Sequence, residues 1–217
     1  MKLDYDLGSI QEARELARNA KRAQDLYIDY SEKQIDDILS AIVEAVLKNS
    51  VWLARMAVEE TGYGVFEHKV IKNTFAAKDV YKHIKEMKTT GIIREDQEKR
   101  IIEAAVPVGV IMGIIPTTNP TSTIIHNALC ALKSGNAIVF SPHPKAIKCS
   151  NAAVQIIHEA AVEAGAPEGI VGCITKATMK ATEELMHSEE IAVIIATGGS
   201  AMVKAAYSAG KPAFGVG

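Results

Sequence analysis

The chain has 217 residues, of which 48% are apolar and 23% charged, enough to bury a sizeable core in one or two domains. Its formal net charge of -2 and its pI near 6.3 exclude a basic field for nucleic acid. No stretch approaches the roughly 18 apolar residues of a membrane span, and the start of the chain, MKLDYDLGSI, lacks the apolar core of an export signal. We therefore expect a globular cytoplasmic protein that binds neither nucleic acid nor membrane.

The cysteines and histidines indicate neither disulfides nor a metal. Cys130, Cys149 and Cys173 are an odd number at wide spacing, which fits a reducing compartment and mostly buried thiols. Cys149 follows Lys145 and Lys148 near a predicted helix start, where positive potential can lower a thiol pKa, but no histidine or amide motif accompanies it. The six histidines show no metal-binding spacing such as H-E-x-x-H, so no metal site is expected.

Apolar residues recur at helical spacing over residues 9–88. Ser31 to Gln34 form a capping box, which predicts the start of an amphipathic helix that continues to about Leu47. A second helix is predicted from Ser50 to Thr61, before a glycine, and a third from Phe66 to Lys88. Residues 1–98 are thus predicted to be a helical lead-in.

Short apolar runs broken by prolines and glycines begin at residue 99 and indicate strands, first in a β segment at 99–109. Residues 110–217 then alternate strands with helices. Strands are predicted at 110–115, 137–140, 170–174, 192–196 and from 212, and helices at 120–132, 145–164, 178–187 and 200–209. Such alternation is typical of a doubly wound, mainly parallel α/β sheet of the Rossmann-like kind, covered on both faces.

Ligands of such a sheet lie beyond the carboxyl ends of its strands. Four segments follow strand ends and are expected to line one crevice: PTTNPTS at 116–122, SPHPKA at 141–146, TKATMK at 175–180 and TGGSAM at 197–202. The two glycines of the last segment allow close approach of a pyrophosphate to a helix start, although a structural turn has the same composition. The prolines of the second segment fix a rigid turn or a stiff wall for a ribose.

Asn119 lies between Thr118 and Pro120, directly after the first predicted strand of the parallel sheet. An amide held there can donate a hydrogen bond to an oxygen that becomes negative during a reaction. The alternative is that the side chain of Asn119 caps the helix that begins near Pro120. The sequence pattern by itself leaves both interpretations open.

Several stretches of the chain together resemble one enzyme family. PVGVIMGIIPTTNPTST, NAIVFSPHPKA and IIATGGSAMVKAAYSAGKPAFGVG resemble the nicotinamide-binding part of CoA-acylating aldehyde dehydrogenases. They are most similar to the aldehyde dehydrogenase half of bifunctional aldehyde/alcohol dehydrogenases. EETGYGVFEHKVIKNTFAAKDVY and KEMKTTGII resemble the helical lead-in of the same subfamily, so the resemblance spans nearly the whole chain.

The resemblance implies an enzyme that oxidises an aldehyde with NAD and passes the acyl group to coenzyme A, with acetaldehyde and acetyl-CoA as the expected pair. It implies that Asn119 holds the oxyanion. It also implies cofactor-binding residues, namely Ile115, Pro116, Thr117, Thr118, Ser141, Pro142, His143, Pro144, Thr197, Gly198, Gly199 and Ser200. The β segment matches strands that pair between subunits in the family, which implies a homo-oligomer.

The sequence departs from the family pattern in three respects, the first two of which are differences from hydrolytic relatives. No lysine follows the second strand before Lys145. This matches the acylating branch, and the resemblance then implies a loosely held nucleotide and a coenzyme A that uses much of the same cleft. The choice between NAD and NADP stays open, and the lack of a basic partner for a ribose phosphate favours NAD. The end of the chain, PAFGVG, has no glutamate to activate water, which suits a thioester that waits for coenzyme A. The family's nucleophilic cysteine is expected in a catalytic domain beyond residue 217, and Cys130, Cys149 and Cys173 do not fall at its place.

Two other functions remain open on the sequence. The chain could be a non-catalytic nucleotide-binding or assembly module, which the missing nucleophile favours. It could also belong to a different reductase of the same superfamily, acting on a phosphorylated or otherwise activated acid.

Overall fold

The computed structural model describes residues 4–216. Its helices are α1 Tyr5–Tyr27, α2 Glu32–Thr61, α3 Phe66–Thr74, α4 Val80–Lys85, α5 Pro120–Lys133, α6 Ile147–Glu163, α7 Met179–His187 and α8 Ser200–Tyr207. Its strands are β1 Gly91–Asp96, β2 Ile101–Ala105, β3 Val110–Ile115, β4 Ala137–Pro142, β5 Val171–Cys173, β6 Ile191–Thr197 and β7 Ala213–Val216. A π turn, Phe75–Asp79, joins α3 to α4, and a 3₁₀ turn, Pro144–Ala146, precedes α6.

The helical character of residues 9–88 is confirmed, but the division into helices is not. The predicted helices around Leu47 and Ser50 are one helix, α2, because the Ser50 hydroxyl donates to the Leu47 carbonyl instead of capping a new helix. The third segment ends at Lys85 rather than Lys88 and contains the π turn. The predicted capping box at Ser31 is present, with the side chains of Ser31 and Gln34 each reaching the other's backbone amide.

The second half of the chain forms the predicted parallel sheet. The strand order is β5-β4-β3-β6-β7, and every pairing between neighbours is parallel. All six residues of the central strand β3 are buried. This is expected of a strand that has a neighbouring strand on each side and lies in a sheet covered on both faces. The chain leaves β3 toward β4 on one side and returns to β6 on the other. Because such crossovers are right-handed, α5 and α6 lie on one face and α7 and α8 on the opposite face.

The N-terminal helices complete these two layers. Helix α1 packs against α7 and the strands β3 to β5, and α2 packs against α5 and α6. Each face of the sheet is therefore covered by helices from both halves of the chain. Among residues 4–216, no helix combines the length and apolar content needed to cross a membrane.

Strands β1 and β2 form a separate antiparallel hairpin. The strand at β2 lies within the predicted β segment, whereas β1 falls in the stretch that the sequence pattern assigned to the helical lead-in. The missed strand has a physical reason, since the hairpin buries no face and so lacks alternation of apolar and polar residues. Ile102 is 64% exposed on it, and Val106, just past its end, is 76% exposed.

Candidate functional site

A cleft of about 610 Å³ opens at the carboxyl ends of the parallel strands. It lies at the point where the chain turns from β3 toward β4 on one side and from β6 toward β7 on the other. Ligands of open α/β sheets bind at this topological switch point, because the two adjacent loops diverge there and leave a crevice. The cleft is therefore the first candidate for a functional site.

Most of the residues predicted to bind a cofactor line this cleft. They are Ile115, Pro116, Thr117, Thr118, Ser141, Pro142, His143, Pro144, Thr197, Gly198 and Gly199. Ser200, the first residue of α8, is not among the residues that line it. Asn119 does not line it either and lies just past Thr118 at its edge. That the lining residues bind a nucleotide stays a prediction.

Several lining residues were not in the predicted set, namely Ile114, Ala177, Thr178, Met179, Thr182, Met202 and Val216. Most belong to strand ends or to the segments at 175–180 and 197–202. Both segments were predicted to line the crevice because each follows a strand. Thr182 lies outside these segments. Its signal in the sequence was helical spacing, since residues four apart on α7 share a face and Thr178 precedes it by one turn.

The hydroxyls on one wall of the cleft are linked in a chain. The Thr182 hydroxyl donates to the Thr178 carbonyl at 3.0 Å. Its one proton is therefore used, so Ser141 is the donor in the 2.9 Å contact between the Ser141 and Thr182 hydroxyls. The Ser9 hydroxyl donates to the Asp6 carbonyl, so Thr178 is the donor across its 2.7 Å contact with Ser9. A hydroxyl has one proton, and these protons are used inside the protein. The wall therefore offers a ligand acceptors only.

His143 ties two walls of the cleft together. Its backbone amide donates to the Ile115 carbonyl at 3.1 Å, which links the loop after β4 to the end of β3. Its Nδ1 accepts from the Lys145 amide at 3.1 Å, so the neutral ring carries its proton on Nε2. The exposed ring thus presents one donor at the rim of an otherwise apolar wall formed by Pro142 and Pro144.

The loop between β3 and α5 is held from outside the sheet by two lysines of α3. The Lys69 ammonium donates to the Thr118 carbonyl at 2.8 Å, and the Lys72 ammonium donates to Asn119 Oδ1 at 2.8 Å. The Asn119 side chain makes no capping bond to α5, so the capping interpretation is wrong. Burial, followed by the neighbouring charge of Lys72, lowers the pKa of Lys69.

The glycine pair after β6 leaves open space in front of the first turn of α8. The Gly198 amide donates to the Val216 carbonyl at 3.1 Å, which fixes the turn. A Cβ added to Gly199 would meet no protein atom within 4 Å, and the backbone there has φ −63°. The glycine is therefore not required by packing or by backbone strain, which leaves room for a ligand.

The three cysteines do not contribute to the cleft. Cys149 is buried, its thiol donates to the Ala146 carbonyl, and burial with a contact to Glu60 raises its pKa to about 12. The positive field suggested for it is thus outweighed, because the Glu60 carboxylate accepts the amides of Lys148 and Cys149 at the α6 start. Cys173 is also buried, and burial raises its pKa.

Cys130 is half-buried and lies beside His126 on α5, with 4.0 Å between Sγ and Nε2. This contact raises the pKa of His126 to about 9. In the part of the chain that the structure describes, no three His, Cys, Asp or Glu side chains are grouped to hold a metal ion.

The fold is that of a doubly wound α/β domain, and its cleft lies at the switch point, where such domains take their ligands. The model of the aldehyde dehydrogenase family matches residues 4–214. The bifunctional aldehyde-alcohol dehydrogenase AdhE of Escherichia coli is 46% identical over 209 residues, which are 96% of this chain and 24% of AdhE. This chain therefore belongs to the aldehyde dehydrogenase family, as the sequence resemblance predicted.

Two solved structures are similar in the same way. An acetylating aldehyde dehydrogenase from Geobacillus thermoglucosidasius has a TM-score of 0.98 and 55% identity, over 100% of this chain and 48% of that one. A propionaldehyde dehydrogenase from Rhodopseudomonas palustris, with bound CoA and an acylated cysteine, has a TM-score of 0.82 and 35% identity. It is matched over 94% of this chain and 46% of its own. The chain thus spans about a quarter of AdhE and about half of the two solved relatives.

Proposed function

We propose that this chain forms the nucleotide-binding part of an NAD-dependent, CoA-acylating aldehyde dehydrogenase. The reaction is aldehyde plus CoA plus NAD to acyl-CoA plus NADH, with acetaldehyde and acetyl-CoA as the expected substrates. The observation that carries the proposal is the cleft at the switch point, whose described lining contains no Asp, Glu, Lys or Arg. A cleft that is lined by apolar side chains and hydroxyls forms no ion pair with its ligand, which suits ligands that must be exchanged during the reaction.

In the proposed reaction, a cysteine thiolate from a catalytic domain attacks the aldehyde carbon, and the Asn119 amide donates to the resulting oxyanion. NAD held by the cleft residues would supply the hydride acceptor, and the cysteine would then carry the acyl group as a thioester. The CoA thiol then takes the acyl group and releases the cysteine. The residues of this chain bind and orient the nucleotide and supply the oxyanion donor, while Cys149 and Cys173 are too deeply buried to be the nucleophile.

The cleft residues fit a nicotinamide nucleotide in two respects. The open space at Gly199, before the first turn of α8, suits the approach of a pyrophosphate to backbone amides. The acceptor-only hydroxyls of Ser141, Thr178 and Thr182 suit donors such as ribose hydroxyls or an adenine amino group. A ribose phosphate offers mainly acceptors and would find neither a proton nor a cation on this wall, which supports NAD over NADP.

We further propose that the protein is a homo-oligomer of the cytoplasm. The exposed apolar residues of the β1–β2 hairpin and the segment that follows it form an edge that a second copy can cover. The three free cysteines fit a reducing compartment.

The proposal is tested first by binding. On the chain of residues 1–217, fluorescence titrations should show weak binding of NADH that CoA displaces, because both ligands are proposed to share the cleft. A Gly199→Val variant should weaken both, since its side chain would fill space that the protein leaves open. Tight binding that does not respond to this variant would contradict the assignment of the cleft.

A second test concerns turnover and uses two proteins. The first is the chain of residues 1–217, and the second is the complete enzyme, meaning these residues continued into the catalytic half. That half comes from the gene itself or from the matching part of the Geobacillus relative. The short chain should reduce no acetyl-CoA with NADH, whereas the complete enzyme should. If the short chain shows turnover and Cys149→Ala abolishes it, Cys149 is the nucleophile, and the proposal that the nucleophile lies in the catalytic half is wrong.

A further inference from the structure

One face of α3 holds the loop that carries Asn119. Lys69 and Lys72 are three residues apart, so their side chains leave the helix on the same side. Both reach the loop after β3, one at the backbone of Thr118 and the other at the side chain of Asn119, each at 2.8 Å. Lysine and loop are 49 and 47 residues apart in sequence, so the fold brings them together.

A third residue of the same face makes this attachment rigid. Asn73 is buried, its Nδ2 donates to the Ser50 carbonyl at 3.1 Å, and its Oδ1 accepts from the Thr121 hydroxyl at 2.8 Å. Lys69 is also buried, with its stem packed under Gly64, where an added Cβ would lie 3.1 Å from Lys69 Cε. Helix α3 is thus fixed to α2 and to the first turn of α5.

The contact with Lys72 determines which way the Asn119 amide points. A lysine ammonium has donors only, so the atom that faces it must be the amide oxygen. The Nδ2 group, with its two protons, therefore points away from Lys72, and within residues 4–216 it makes no hydrogen bond. A cation on the oxygen also polarises the amide and strengthens its N–H groups as donors.

We propose that Lys72 is a positioning residue that acts through Asn119 on the oxyanion, with Lys69 holding the adjacent backbone. This inference rests on the proposed function, because it requires a reaction in which negative charge develops beside the Asn119 amide. Lys72 itself stays outside the cleft lining and does not contact the reacting atoms. Its effect is to keep the amide in the donating orientation before the charge forms, which is the condition for such a donor to stabilise it.

The kinetic test uses the complete enzyme and a double-mutant cycle. Lys72→Met should lower kcat about tenfold, while Asn119→Ala should lower it about 10²- to 10³-fold. In the Asn119→Ala background, Lys72→Met should change kcat by less than about twofold, because its partner is gone. KM for NAD and CoA should stay within about twofold, and Lys72→Arg should retain most of the activity.

The matched control is Lys78→Met. Lys78 is exposed on the π turn that follows α3, and among the described residues no hydrogen bond or ion pair to its side chain is seen. This variant should leave kcat unchanged. An equal loss in Lys78→Met, or an undiminished effect of Lys72→Met in the Asn119→Ala background, would overturn the positioning role.

A second readout requires no turnover. In NMR spectra of the chain of residues 1–217, Lys72→Met should shift and broaden the Asn119 side-chain amide signals, whereas Lys78→Met should not. Unchanged amide signals would overturn the inference even if kcat falls. If the signals change but the complete wild-type enzyme forms no acyl-CoA, the proposed function is refuted and the catalytic role of Lys72 with it, which separates the two failures.

Discussion

Asn73 is a polar residue that lies away from the surface, and replacing it with alanine should strongly lower the free energy of unfolding. Asn73 is 1% exposed and Thr121, its hydrogen-bond donor, is 2% exposed. The change leaves the Thr121 hydroxyl buried without its acceptor, which costs about 1–3 kcal/mol, and loses the bond to Ser50, worth about 0.5–1.5 kcal/mol. We therefore expect the free energy of unfolding to fall by about 2–4 kcal/mol.

The assay is urea unfolding followed by circular dichroism and by the fluorescence of Trp52, the chain's single tryptophan. The control is Asn49→Ala, which removes a half-buried amide bonded only within α2 and should cost less than about 1 kcal/mol. Adding Thr121→Val to Asn73→Ala should cost little more than Asn73→Ala alone, because the stranded hydroxyl is then removed. A loss below about 1 kcal/mol, or fully additive effects, would refute the reasoning.

Three further predictions concern the cleft, a titrating pair and the hairpin. Gly199→Val should leave the thermal midpoint within a few degrees of wild type but weaken NADH binding at least about tenfold, by calorimetry; unchanged affinity counts against the cleft. The hydrogen bond that the protonated His126 ring donates to the Cys130 sulfur raises the pKa of His126 to about 9, so the stabilising effect of this bond is complete below about pH 6.5 and is lost as pH rises through 9. Cys130→Ala should lower that pKa in an NMR titration, and an unchanged value would show that another group causes it. Ile102→Lys should shift the protein toward monomer in sedimentation; a wild type that is monomeric at high concentration would end the oligomer proposal.

The parallel sheet could be predicted because its local signals agree. Each strand is a continuous apolar run, and glycines or prolines mark the boundaries, so the strands at 110–115 and 137–140 fell within two residues of those observed. Signals were weaker where burial is absent. The exposed strand β1 has no apolar face to produce a period, and the π turn within residues 66–85 leaves no pattern distinct from an α-helix.

The cleft could be predicted for the same topological reason, since residues after parallel strands meet at one edge. Its fine structure could not. The hydroxyl chain through Ser141 and Thr182 depends on which carbonyl each hydroxyl reaches, and the contact between Lys72 and Asn119 depends on how α3 docks beside α5. Such contacts are determined by tertiary packing, so the spacing of residues along the sequence does not predict them. The family resemblance indicated the proposed role of Asn119 but not the contact of its side chain with Lys72.

The acylating reaction is tested most directly by following the fate of the acyl group. The complete enzyme is given acetaldehyde and NAD, with and without CoA, and NADH, acetyl-CoA and acetate are measured together. We predict sustained NADH formation only with CoA, matched by an equal amount of acetyl-CoA and little acetate. Sustained NADH formation without CoA, accompanied by acetate, would contradict the account and identify a hydrolytic aldehyde dehydrogenase.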